Sequence, residues 1–150
     1  MTISKRQQLA DLFRKFLAQD SVIDQPSSLA AYECDGLSAY RKTPLLVVLP
    51  ETIEQVQQAV ALCDKRRIPI VSRGAGTGLS GGALPHEDGI VLSLSKMSRI
   101  IKIDKLSRTG IVEPGESVTV YERGKQYSLR CVELLESGPG FERFVCLQQA

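Results

Sequence analysis

The sequence predicts an α+β fold, a mixed sheet with flanking helices, and three features of its 150 residues carry that reading. A compact valine-rich run, Leu45 to Leu49, is bracketed by Pro44 and Pro50, as expected of a buried strand. A well-signalled helix follows, and the next apolar strand then runs into a loop of five glycines in nine positions instead of into another helix. Beyond that loop, apolar residues alternate in short runs around polar turns, which predicts antiparallel pairing and hence a sheet of mixed direction.

Taken in order, Leu9, Leu12, Phe13, Phe16 and Leu17 recur at helical spacing and predict an amphipathic helix over about Ser4 to Ala18. Its wet side carries Lys5, Arg14 and Lys15. Residues 19–31, with Asp24, Pro26 and two serines, read as connection. After the 45–49 strand, Thr52 can accept from the Gln55 amide while the Gln55 side chain reaches back, a capping box. Ile53, Val56, Ala59, Val60 and Cys63 form the apolar stripe of that helix, and Lys65, Arg66 and Arg67 close it where its dipole favours cations. Ile68 to Ser72 is the predicted strand that delivers the glycine loop, and Ile90 to Leu94 is the next, with Gly89 at its entrance. Ile100 to Asp104 and Thr109 to Val112 pair around a polar turn at Lys105 to Ser107. Ser117 to Tyr121 and Arg130 to Leu135 read as two further strands joined near Gly124. The Ser-Gly-Pro-Gly run at 137–140 then interrupts any regular period.

The length suits one ordinary domain and a single core. Nineteen Lys and Arg against seventeen Asp and Glu leave a net charge of +2, with the charges scattered. With no Trp and few aromatics there is neither a basic stripe nor a stacking platform, so no nucleic-acid partner is expected. The first sixteen residues carry charges throughout and resemble no secretory signal, and no run of about eighteen apolar residues occurs, so no direct membrane insertion is expected. Cys34, Cys63, Cys131 and Cys146 are too far apart for a paired metal motif and read as free thiols, which points to the cytoplasm. His86 is the only histidine and sits between Pro85 and Glu87 in a turn, where a solvated loop residue is expected. No metal site is anticipated.

The chemistry concentrates in Arg73 to Ala83, RGAGTGLSGGA. Consecutive glycines reach positive φ without penalty and can turn several N–H groups onto one anion, so phosphate is the natural ligand. Gly76, Gly78 and Gly81 satisfy G-x-G-x-x-G, but a Rossmann loop must open a long helix, and Gly81, Gly82, Pro85 and Gly89 forbid one here. No lysine followed by Ser or Thr closes the run, which excludes a P-loop. What stays is a non-helical loop between strands whose amides, with the Thr77 and Ser80 hydroxyls, bind a pyrophosphate. A glycine-rich turn that merely lets two elements pack tightly is the other reading of the same residues.

Three segments, YECDGLSAYRKTPLLVVLPETIEQVQQAV, IPIVSRGAGTGLSGGALP and GIVLSLSKMSRIIKID, closely resemble the FAD-linked oxidases of the vanillyl-alcohol oxidase, or PCMH, type. Within that family the resemblance is to flavin subunits of bacterial glycolate oxidases, and D-lactate dehydrogenases are further members. It runs from about Tyr32 to Gly115. It implies the first lobe of a PCMH-type FAD-binding domain over 32–115, preceded by a helical extension at 1–31 and followed by a divergent tail at 116–150. By the resemblance, Arg73, Gly74, Ala75, Gly76, Thr77, Gly78, Ser80, Gly81 and Gly82 bind the cofactor, its pyrophosphate held by main-chain amides. Some relatives attach flavin through a histidine in this loop. None stands here, so FAD is expected to be noncovalent. Pro50 and the Tyr32 to Ser38 stretch match family positions and read as scaffold.

The reaction implied is oxidation of a short 2-hydroxy acid, glycolate or D-lactate, with hydride passing to the flavin. A carboxylate clamp and a base for the hydroxyl proton are then required, and no catalytic residue is assigned. Glu113 and Arg108 are the right types, but their hairpin position predicts a solvated face. Other glycolate oxidase subunits are the partners the resemblance suggests. After Val112 to Gly115 the family continues with a helix, a PDPSS-like segment and a Gly-Gly-Asn loop, none of which follows here. The expectation is therefore a truncated subunit, inactive alone. The alternative is a noncatalytic phosphate-binding or interaction module whose tail completes the fold.

Overall fold

The computed structural model describes residues 5–104, 109–115, 117–122 and 125–130. The chain divides into two compact units, residues 1–96 and residues 97–150.

The first unit opens with α1 (Lys5–Phe13), which buries Leu9, Ala10 and Phe13. It ends before the predicted Ala18 because its last turn tightens. Lys15 N–H donates to Leu12 O and Phe16 N–H to Phe13 O, bonds of the i to i−3 kind. Residues 19–31 are more ordered than a plain connection. They hold a two-residue strand, β1 (Val22–Ile23), and a short helix, α2 (Pro26–Leu29), with proline in its first turn. Two apolar residues in a polar stretch carry no period, so β1 left no trace in the sequence pattern.

Next come β2 (Leu46–Val48), α3 (Ile53–Arg66), β3 (Ile70–Arg73) and β4 (Ile90–Ser93). The sheet order is β1-β2-β4-β3, with β2, β4 and β3 parallel and β1 antiparallel to β2, so the sheet is mixed as expected. Leu46, Val47 and Val48 stand opposite Ile90, Val91 and Leu92, and all six are buried. Because side chains alternate, Val47 and Val91 join Leu29 and Leu49 in one cluster against which Ile23 and Tyr32 pack. Both faces of the central strands are thus covered, which is why the run lacks a polar alternation.

Helix α3 begins as predicted: Thr52 Oγ1 accepts from Gln55 N–H, and Gln55 Oε1 accepts from Glu51 N–H. Its buried stripe is narrower than predicted, with Ala59 and Cys63 inside and Ile53 and Val60 exposed. The helix closes in a Schellman motif, Ile68 N–H to Cys63 O and Arg67 N–H to Asp64 O, with Arg67 left-handed at φ 53°.

The second unit, by itself, contains the hairpin β5 (Ile100–Asp104) and β6 (Thr109–Val112), in the predicted places, with a register irregularity between Ile100 and Lys102. A second hairpin joins β7 (Ser117–Glu122) to β8 (Lys125–Arg130). The second strand of that pair lies earlier than the predicted Arg130 to Leu135, since the pairing closes tightly after Glu122. Residues 131–135, Arg108 and the 137–140 run lie outside the described residues.

Candidate functional site

Strand β3 points its carboxyl end into the glycine loop, and the connection from Gly74 to Gly89 returns the chain to β4 with no helix in it. The parallel pair is locked up to that point, Arg73 standing opposite Ser93 and Leu94 N–H donating to Arg73 O at 3.0 Å. The carboxyl ends of parallel strands are where sheets of this kind receive ligands.

Within the loop, Gly76 and Gly81 take φ of 68° and 76°. Among the described residues, no backbone N–H from Gly74 to Gly82 donates a hydrogen bond to protein. Such a run of unbonded donors is tolerable only where water or a ligand accepts from them. A Cβ built at Gly78, Gly81 or Gly82 would meet nothing within 4 Å, so the same stretch opens outward. Thr77 and Ser80 are exposed beside it, and Leu79 stands 72% exposed between them.

A second segment, Tyr32 to Leu37, holds the loop in place. Arg73 turns inward: its Nη1 donates to Cys34 O at 2.7 Å, and its guanidinium lies 5.4 Å from the Tyr32 ring centroid. Asp35 is 5% exposed, with Oδ1 accepting from Leu37 N–H at 2.9 Å and Oδ2 from Ala83 N–H at 3.4 Å. Gly36 approaches so closely that a Cβ there would lie 2.7 Å from Thr77 O and 2.9 Å from Gly78 O.

A glycine loop at the carboxyl end of a parallel strand, with no helix behind it and no lysine in it, sets this α+β domain apart from Rossmann and P-loop proteins. The chain belongs to the FAD binding domain family, which matches residues 44–126 and so includes the whole glycine loop. It is 50% identical over 94 residues to glycolate oxidase subunit GlcD of Escherichia coli K12, covering 63% of this chain and 19% of that protein. The Bacillus subtilis glycolate oxidase subunit GlcD is 35% identical over 92 residues, covering 61% and 20%. Among solved structures, p-cresol methylhydroxylase with substrate bound superposes with a TM-score of 0.63 at 29% identity, covering 77% of this chain and 24% of the other. Alkyldihydroxyacetonephosphate synthase, at 19% identity and a TM-score of 0.64, covers 73% and 22% and shares the fold. The fold is that of PCMH-type FAD-binding proteins, and this chain spans about a fifth of the length of the curated relatives it matches.

The cradle suits the cofactor that the family binds. A pyrophosphate offers only acceptors, and the loop offers unbonded donors above side-chain-free glycines. Gly74 to Gly78 and Ser80 to Gly82 all lie in the connection between β3 and β4. Arg73 lies at its root, with its guanidinium engaged by Cys34 and Tyr32.

Glu113 departs from its expected solvated position. It is 7% exposed and accepts from Arg99 through Nε at 2.8 Å, Nη2, and the backbone N–H at 2.9 Å. Hydrogen bonds from the Arg99 side chain hold its carboxyl below the ordinary glutamate range, so it is a tied structural ion and a poor base. His86 is exposed, and its Nδ1 accepts from Asp88 N–H at 3.0 Å, a turn contact. Cys34 and Cys63 are free thiols, burial pushes the Cys63 thiol up to about 11, and Cys131 and Cys146 lie outside the described residues. Among the described residues no group of three His, Cys, Asp or Glu is placed to hold a metal, and no helix is long and apolar enough to cross a membrane.

Asp35 and Gly36 are the functional candidates that sequence reasoning treated only as scaffold. Their contacts to the loop bridge some forty residues, and no local pattern announces such a contact. Cys-Asp-Gly at 34–36 is the one local hint, a turn-forming pair placed where the chain must bend.

Proposed function

We propose that the loop from Arg73 to Gly82 holds the pyrophosphate of noncovalently bound FAD, and that this chain supplies the cofactor site of a flavin oxidoreductase acting on short 2-hydroxy acids. The observation that carries this reading is that, among the described residues, no N–H from Gly74 to Gly82 donates to protein, beside open space at Gly78, Gly81 and Gly82. Main-chain donors bind charge without spending a side chain's conformational entropy. Thr77 and Ser80 add hydroxyls at the rim, and the inward Arg73 fixes the root of the loop. Bound FAD would accept hydride from the C2 carbon of the substrate. Glycolate and D-lactate are the substrates favoured, by the 50% identity to a glycolate oxidase subunit and by a 31% identity to a putative D-lactate dehydrogenase of Schizosaccharomyces pombe. Further glycolate oxidase subunits are the natural partners, and the cytoplasm is the proposed location.

Neither the clamp for the substrate carboxylate nor the proton acceptor finds a candidate among the described residues, Glu113 being tied to Arg99. Since the chain spans about a fifth of the length of these relatives, the reading is that it binds FAD without turning substrate over by itself. Incubating it with FAD, glycolate or D-lactate and a dye acceptor should reduce no dye, and sustained turnover would contradict that division of labour. Acid precipitation should release all bound flavin into the supernatant, whereas flavin retained in the pellet would contradict noncovalent binding. A noncatalytic interaction module remains the competing reading, favoured if the chain folds yet binds neither FAD nor pyrophosphate.

A further inference from the structure

Asp35 stands where electrostatics alone would not put it. Its carboxylate is 5% exposed, beside a loop whose unbonded N–H groups suit an anion. Among the described residues no Lys or Arg forms an ion pair with it, since Arg73, the one cation of the loop, gives its guanidinium to Cys34 O and the Tyr32 ring. A negative charge there repels the ligand that the loop would take, and burying it without a counter-ion is costly. What its oxygens hold explains the residue. Oδ1 accepts from Leu37 N–H at 2.9 Å, which closes a local Asx turn. Oδ2 accepts from Ala83 N–H at 3.4 Å, forty-eight residues away, at the exit of the glycine loop. With Arg73 Nη1 on Cys34 O at the entrance, two consecutive residues grip both ends of a loop whose own N–H groups, from Gly74 to Gly82, donate to no described residue.

Resting on the reading of this loop as part of the cofactor site, we infer that Asp35 is a positioning residue: it latches Ala83 N–H and so fixes the exit of the loop before a ligand arrives, and this holding outweighs the repulsion its charge exerts on the ligand. A carboxylate suits the task because both of its oxygens accept, whereas a carboxamide offers one acceptor and one donor group. In Asp35→Asn the shorter, local bond from Leu37 N–H keeps the oxygen, and the amide nitrogen then meets Ala83 N–H, donor against donor. The turn survives and the exit is released. The two effects of this substitution on an anionic ligand have opposite signs. Loss of the negative charge by itself strengthens binding, while loss of the latch weakens it, because a freed loop must be ordered as the ligand binds.

The test compares the 150-residue chain with Asp35→Asn by equilibrium dialysis of FAD and by amide hydrogen exchange of the ligand-free proteins. In the variant, FAD should bind at least about tenfold more weakly, the worth of one hydrogen bond to a charged group. Its Ala83 N–H should exchange as fast as the unbonded loop amides, while Leu37 N–H and the amides of β2 and β4 stay protected as in the parent. Equal or tighter FAD binding by the variant overturns the positioning role and leaves the cofactor reading standing. Weaker binding with Ala83 N–H still protected overturns it too, because the loss then arises elsewhere. If the parent binds no FAD, the cofactor reading fails and takes this inference with it. Should Asp35→Asn not fold, exchange in the parent decides: Ala83 N–H at least about tenfold slower than Gly78 N–H and Gly82 N–H, after correction for neighbouring side chains, supports the latch, and exchange at their rate overturns it.

Discussion

The Arg73 guanidinium occupies the space that a side chain at residue 76 would need: a Cβ on Gly76 would lie 2.3 Å from Arg73 Cζ. Gly76 is thus required twice, by its φ of 68° and by the arginine packed against it, which in turn is held by Cys34 O and the Tyr32 ring. Gly76→Ala should destabilise the first unit by about 1–3 kcal/mol, the range for strained backbone plus a forced displacement. Urea unfolding checks it. Combining Gly76→Ala with Arg73→Ala should cost less than the sum of the single changes, because the collision vanishes with the guanidinium.

Gly78 and Gly82 behave oppositely. Neither has positive φ, and a Cβ at either opens onto empty space, so alanine there should leave unfolding within about 0.5 kcal/mol of the parent. The same methyl groups stand where a ligand would approach the backbone, and FAD affinity should fall. Unfolding curves and flavin dialysis on the same two variants separate the effects. A variant that loses stability but keeps affinity would contradict the assignment.

Lys96 Nζ reaches Asp20 Oδ2 at 2.9 Å, Glu51 Oε1 at 2.8 Å and Ser21 Oγ at 2.8 Å, joining the ends of three segments of the first unit. The hydrogen bond from Lys96 holds the Asp20 carboxyl below its ordinary value, and hydrogen bonds to Glu51 and Asp20 hold the Lys96 ammonium above its own. A depressed carboxylate contributes stability above its unfolded value of about 4 and loses it as pH falls through the lower folded value. A raised ammonium contributes fully below its unfolded value of about 10.4 and loses it as pH rises through the higher folded one. Lys96→Met should flatten the dependence at both extremes. Thermal unfolding between pH 3 and pH 11 reads it, the effect at each end being small because these groups meet solvent.

Cys63 is fully buried, and its thiol is pushed up to about 11. At pH 8 it is protonated and covered, so iodoacetamide should leave it unmodified in the folded chain and alkylate it promptly in denaturant. Peptide mass spectrometry assigns the site directly.

Arg67 holds the left-handed position that ends α3, at φ 53° and 90% side-chain exposure. Glycine there keeps the Schellman bonds and removes the Cβ penalty, so Arg67→Gly should stabilise by about 0.5–1 kcal/mol. Its exposed pair with Asp64, at 3.7 Å, offsets little of that gain.

Local chemistry made much of this legible in the sequence. The prolines and valines around Leu45 to Leu49 announced a buried strand, Thr52 and Gln55 announced the start of α3, and the glycines ruled out a helix after β3. β1 escaped because Val22 and Ile23 are too few to set a period and owe their strand to pairing with Val48 and Val47. The width of the α3 stripe was overdrawn, since periodicity marks which residues share a face without saying how much of it is covered. Within the loop the glycines looked alike. Only coordinates separate Gly76, which accommodates Arg73, from Gly78 and Gly82, which border open space, and only they bring Asp35 and Gly36 beside it.

The central claim is that backbone amides of this loop bind the cofactor through its pyrophosphate. Equilibrium dialysis of FAD against the purified chain, with riboflavin as the parallel ligand and inorganic pyrophosphate as competitor, tests it most directly. The account predicts saturable FAD binding that pyrophosphate displaces, and riboflavin binding at least about tenfold weaker, since riboflavin lacks the charged acceptors. Riboflavin bound as tightly as FAD, or FAD binding indifferent to pyrophosphate, would contradict it.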